Sequence, residues 1–134
     1  MSETVVITRD DVYDALGDLC YPVSGEDESR IEYLINLMSD RVKLNIHSDS
    51  IPESLKTTVI DMVCGEFLAG KYATGDLSNF NFEASVKRIS EGDTTVEYAY
   101  GSGSSTPEQR FKAYIDALRN PPAYVFASVR KLRW

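Results

Sequence analysis

A chain of 134 residues, 43% of them hydrophobic, is long enough for one domain with a single core and too short for two comfortable ones. Its net charge of −7 and pI of 4.7 exclude general nucleic-acid affinity, because phosphate binding needs clustered Lys and Arg to displace counterions. The charge is polarised, with 14 acids and 5 bases in residues 1–66 against 7 acids and 9 bases in residues 67–134, as suits a subunit that associates head to tail.

The opening Met1-Ser2-Glu3-Thr4 lacks the basic and apolar regions of a signal peptide, and no run approaches the ~18 apolar residues of a membrane span. A protein kept in a reducing cytoplasm is expected, with Cys20 and Cys64 as free thiols that behave as small buried hydrophobes. Thr8 followed by Asp11 is an N-terminal capping pattern, and Val12, Tyr13, Leu16 and Leu19 continue it at helical spacing until Tyr21-Pro22 stops the helix. The acids Glu26, Asp27 and Glu28 fit the solvated first turn of a second helix; they lack the alternating ligands of a calcium loop. Ile31, Leu34, Ile35, Met38, Val42 and Ile46 form one stripe of that helix.

Pro52 and Glu53 open a third helix, where Leu55, Val59, Met62, Val63, Phe67 and Leu68 recur at three- and four-residue spacing. Gly65, Ala69 and Gly70 are small sites at which another helix can approach closely, and Gly75 ends the pattern. The period then changes from 3.6 to 2. Phe80, Phe82, Ala84 and Val86 alternate with polar residues, as do Val96, Tyr98 and Tyr100 beyond Gly92-Asp93, which predicts a β-hairpin of uncertain register. Gly101 to Ser105 reads as a hinge. Thr106-Pro107-Glu108 starts a last helix with Phe111, Tyr114, Ile115 and Leu118 as its stripe, and Asn120-Pro121-Pro122 ends it.

The expected fold is therefore mainly α: a small bundle of about four helices with one inserted β-hairpin and an extended C-terminal tail. It is one domain, with the bundle in 1–75, the hairpin insertion in 76–100, the hinge in 101–105, the last helix in 106–120 and a docking tail in 121–134. A nucleophile elbow, a phosphate loop, a Rossmann glycine pattern and a zinc cysteine cluster are all missing from the sequence, so the chain is read as non-enzymatic and without a cofactor. The nearest approach to a catalytic set is Cys64 with the single His47 and a local acid, Asp49 or Asp61; activated thiols need an electropositive, partly exposed setting, which nothing in the sequence supplies. The terminal Tyr124 to Trp134 segment is aromatic and basic. It can be a last core element or a nucleic-acid contact through Arg130, Lys131, Arg133 and Trp134. Docking on a partner protein is favoured, because Trp, Tyr and Arg carry interface energy.

The opening Thr8-Arg9-Asp10-Asp11-Val12, the run from Val86 to Val96, the Gly-Ser break before a last helix and the basic tail together resemble the head–tail connector (adaptor) family of tailed bacteriophages. That resemblance implies a structural subunit of a phage or prophage, assembled in the host cytoplasm and resident in the virion at the head–tail interface. It implies a ring of neighbouring copies, commonly about twelve, beneath the portal protein and above a stopper or tail-completion protein, with packaged DNA passing through without sequence-specific binding. Carried onto this chain, Tyr124, Phe126, Val129, Leu132 and Trp134 become portal anchors with Arg130 and Arg133 as polar guides. Arg88, Glu91, Gly92 and Asp93 become the hairpin that meets a neighbour or the lumen. The alternative is a small acidic regulator that binds a host protein through the same terminus.

Overall fold

The computed structural model describes residues 5–92 and 106–130. The described residues form α1 (Arg9–Asp18), α2 (Glu28–Ile46), α3 (Lys56–Ala73), α4 (Phe82–Gly92), α5 (Pro107–Arg119) and the short α6 (Ala123–Ala127), with 3₁₀ turns at Gly25–Asp27 and Glu53–Leu55 leading into α2 and α3. Helix starts follow the local capping chemistry. The Thr8 hydroxyl accepts from the Asp11 amide at 3.2 Å while the Asp11 carboxylate accepts from the Thr8 amide at 3.0 Å, and Thr106 and Gln109 repeat the arrangement at α5. Arg9 ties the start of α1 to α2 through Glu28 and Glu32.

The central helix is α3. It lies against α1, α2 and α5, so Val59, Met62, Val63, Cys64, Phe67, Leu68 and Ala69 are all buried, and apolar residues surround it as burial on several sides requires. Its closest approach to a neighbour is at Gly65. A Cβ placed there would stand 2.8 Å from the Ile115 carbonyl oxygen and 2.9 Å from Leu118 Cβ on α5. The seam is reinforced at its rim, where Arg119 Nε donates to Glu66 Oε1 at 3.0 Å. Gly70, by contrast, has open space where a Cβ would go, so of the two glycines suited to close approach only Gly65 is used for it. Gly75, at φ 81°, ends the α3 turn, with the Asp76 amide donating to the Lys71 carbonyl at 3.0 Å.

The expected β-hairpin is corrected. Its first arm is helical: α4 runs from Phe82 to Gly92, and no strand occurs among the described residues. The second arm, Thr94 to Tyr100, and the hinge lie outside them. The helix forms because Phe82, Ser85, Val86 and Ile89 fall at i, i+3, i+4 and i+7, one face of an α-helix, and that face meets α5 and α1. Ser85 and Ile89 on it are buried. Asn81 opens the helix, its side chain accepting from the Ala84 amide at 2.9 Å. Alternation holds only at Phe80 and Phe82, whose rings are 5.2 Å apart. Both rings also meet Phe111, at 5.0 and 5.2 Å, and Phe82 meets Tyr72. This aromatic cluster fastens the loop after α3 to α5 and launches α4, with about 0.5–1.5 kcal/mol per ring pair beyond the area buried.

Candidate partner interface at the C-terminal turn

Pro121-Pro122 ends α5, and Pro122, at φ −59° and ψ 144°, sets the entry to α6. This helix lies against α2. Phe126 is buried and Val125 and Val129 are half-buried against the core, so these residues hold the terminus to the bundle. The Phe126 ring, expected as a partner anchor, is a core side chain in this fold. Tyr124 is the opposite case, 74% exposed on the outer side of the same turn. The chain reverses through Ser128, whose hydroxyl donates to the Val125 carbonyl at 3.1 Å.

Arg130 then clasps the end of α2. Its Nε donates to the Asn45 carbonyl at 2.8 Å and its Nη2 to Asn45 Oδ1 at 2.6 Å. The Asn45 carbonyl is among the last four of α2, which have no intrahelical partner, and a cation there also complements the negative end of the helix dipole. Arg130 thus serves the fold as well as any guiding role. The α2 terminus it meets closes through His47 in the left-handed conformation at φ 56°, with the Ser48 amide donating to the Lys43 carbonyl at 3.0 Å. Asp40, Lys43, Leu44, His47, Ser48 and Asp49 line an open cleft at this end. Leu132, Arg133 and Trp134 lie outside the described residues, as does Asp93.

Of the residues expected at the hairpin tip, Arg88 lies on α4 and reaches Asp18 Oδ1 of α1 at 3.5 Å. It therefore braces α4 against α1. Glu91 and Gly92 are the last residues of α4, one of the corrections that follow from the loss of the strand.

The Cys64 set is not assembled. Cys64 is buried with Sγ directed at the Val12 carbonyl at 4.0 Å, whereas His47 is exposed at the end of α2. Burial, with the Asp61 charge one turn away as a smaller cause, pushes the thiol up to about 12, so it stays protonated near neutral pH and is a poor nucleophile. Among the described residues no group of three or more His, Cys, Asp or Glu side chains could hold a metal ion.

The acids Glu26, Asp27 and Glu28 do not form one solvated turn, which is a further correction. Asp27 is 2% exposed and pairs with Lys71 Nζ at 2.9 Å. It also accepts from the Tyr21 hydroxyl at 2.9 Å and the Ser24 amide at 3.1 Å. Burial opposes its ionisation, but the hydrogen bonds from Lys71, Ser24 and Tyr21 outweigh burial and hold the carboxyl below its ordinary range. Residue spacing could not show this, because Lys71 lies on α3 and meets Asp27 only once α2 and α3 pack.

Asp61 has the opposite environment. Burial, with no compensating partner among the described residues, pushes its carboxyl up to about 6 from 3.8. A raised carboxyl pKa costs the folded state nothing below about pH 4, where both states are protonated, and costs most above pH 6, where the folded protein holds an ionised carboxylate that water would solvate better. We expect Asp61→Asn to stabilise the protein by about 1–2 kcal/mol at pH 7, after allowance for partial exposure, and by almost nothing at about pH 3. Urea unfolding at the two pH values checks this, and equal gains at both would refute the assignment.

Comparison with known proteins yields no matching family model, no matching curated protein and no matching solved structure.

Proposed function

We propose that this chain is a structural adaptor subunit of the head–tail junction of a tailed bacteriophage or prophage, seated beneath the portal ring and joining it to a stopper or tail-completion protein. The observation that carries the reading is the construction of the C-terminus. Phe126 and Arg130 fix the last turn to α2, Tyr124 stands out from it, and the sequence continues into Lys131-Leu132-Arg133-Trp134. A rigid base presenting an aromatic and leading into a short basic, aromatic segment suits capture by a partner protein, since the base limits the ordering entropy paid on binding. The net charge of −7 suits a channel component past which DNA slides without sticking.

The test is to mix the purified chain with the portal ring encoded beside it. We expect a high-mass complex by light scattering, weakened at least about tenfold, or about 1.4 kcal/mol, by Tyr124→Ala or by removal of residues 131–134, with the helical circular dichroism unchanged. The truncation stops at Arg130 because Phe126 is core. Absence of any complex with the portal would overturn the adaptor reading. Capture of a host protein instead, through the same terminus, would favour the regulator.

A further inference from the structure

We propose that the open cleft at the C-terminal end of α2 is the resting place of this chain's own residues 131–134, so that the free subunit keeps its basic, aromatic terminus covered. Asp40, Lys43, Leu44, His47, Ser48 and Asp49 line the cleft, whose volume of about 740 Å³ falls within the roughly 300–1,000 Å³ of sites that enclose a ligand. Leu44 is its apolar member and, at 78%, the most exposed large apolar side chain among the described residues. Asp40 and Asp49 are exposed, and neither forms an ion pair among the described residues. Besides these two carboxylates the described lining carries the half-buried Lys43 and the single imidazole of His47.

The segment that follows Arg130 suits this lining in position, reach and chemistry. Arg130 is held at Asn45, the neighbour of Leu44, through bonds of 2.8 and 2.6 Å, so Lys131 leaves the fold within an arginine side chain's length of the cleft. Asp40 lies about 7.5 Å back along the helix from Asn45, and four extended residues span up to about 13 Å. Lys131-Leu132-Arg133-Trp134 carries two cations and no acid, with basic and apolar residues alternating. The bases can meet Asp40 and Asp49 while Leu132 or Trp134 covers Leu44. Arg41, one turn before Asn45, is outside the described lining, and its charge turns a basic segment away from that side. Because the segment is joined to the body at Arg130, closure costs no overall translation or rotation, so a few contacts suffice. Exposed ion pairs are weak, which keeps closure reversible. The consequence for assembly, and only that, rests on the adaptor reading: the portal must draw the terminus out of the cleft before gripping it, so capture is gated.

Trp134 is the only tryptophan, so its fluorescence follows the terminus in the full chain without any portal. In the native protein, quenching by acrylamide should be at least about twofold weaker than in the urea-unfolded chain, at every protein concentration. Leu44→Glu should raise quenching to the unfolded level, as should Asp40→Lys combined with Asp49→Lys. Adding Lys131→Glu and Arg133→Glu to that pair should restore protection, since opposite charges face each other again. The three cleft positions are exposed, and circular dichroism and melting curves check that each variant is folded. A wild-type Trp134 as open to quencher as in urea, protection indifferent to Leu44→Glu, failure of the charge reversal to restore it, or protection that grows with concentration overturns the proposal. With the portal ring, Leu44→Glu should bind severalfold more tightly, because no closed population has to open first; unchanged affinity in a chain whose Trp134 is protected overturns the gating. Protection without any portal complex leaves closure standing and removes the adaptor reading; a portal complex with an unprotected Trp134 does the reverse.

Discussion

Gly65→Ala is expected to destabilise the protein by about 2 kcal/mol, although alanine is the better helix former by about 1 kcal/mol. The added methyl would stand 2.8 Å from the Ile115 carbonyl oxygen and 2.9 Å from Leu118 Cβ and Arg119 Cγ. The first of these is backbone and cannot swing aside. The α3–α5 seam must open by several tenths of an ångström, loosening the packing around Phe111 and Ile115, both completely buried; overpacking of this kind costs about 1–3 kcal/mol. Gly70→Ala on the same helix is the control. It meets nothing within 4 Å, so the propensity term acts alone and should raise stability by up to about 1 kcal/mol. Denaturant unfolding of the two variants should therefore give shifts of opposite sign. A gain for both would mean that α5 does not press on Gly65.

The second large effect is expected at Asp27. Asp27→Asn removes the negative partner of Lys71 and weakens the acceptor on which Tyr21 and Ser24 converge. Breaking a fully buried pair costs about 3–5 kcal/mol, and because Lys71 is 27% exposed a loss nearer 2–3 kcal/mol is expected. The sign of its pH dependence is fixed by the lowered carboxyl pKa. Its stabilisation is complete above the unfolded value of 3.8 and fades as pH falls through the lower folded value. Asp61 acts in the other direction, its penalty declining from pH 6 towards pH 4. Of these two groups, then, one favours mild acid and the other fails only in strong acid. Thermal melts should show the Asp27→Asn deficit at pH 7 shrinking as pH falls below the unfolded value of 3.8, and a deficit that keeps its full size in strong acid would point to lost packing rather than lost charge.

Where local chemistry was sufficient, residue order predicted the elements. Thr8 with Asp11 and Thr106 with Pro107 each satisfy or spare the free amides of a helix start, and the stripes from Ile31 to Ile46 and from Phe111 to Leu118 have one period only. Gly65 was visible as a small site on an apolar helix, though its difference from Gly70 depends on where α5 crosses. The missed signals were also present: Asn81 is a good cap, and Phe82, Ser85, Val86 and Ile89 fit a helix as well as Phe82, Ala84 and Val86 fit a strand.

The sequence by itself determined the caps, the single-period helices, the acidic front and the basic, aromatic terminus, because each depends on neighbours within a turn or on composition alone. Tertiary structure decided the rest. Residues 82–92 carry two compatible periods, and burial of Ser85 and Ile89 against neighbouring helices selected the helix. Asp27 became a buried ion rather than a solvated cap because α3 brings Lys71 to it. The terminus was divided into core and surface, Phe126 inward and Tyr124 outward, by contact with α2. In each case the deciding energy is desolvation against a distant part of the chain, which no local window of sequence contains.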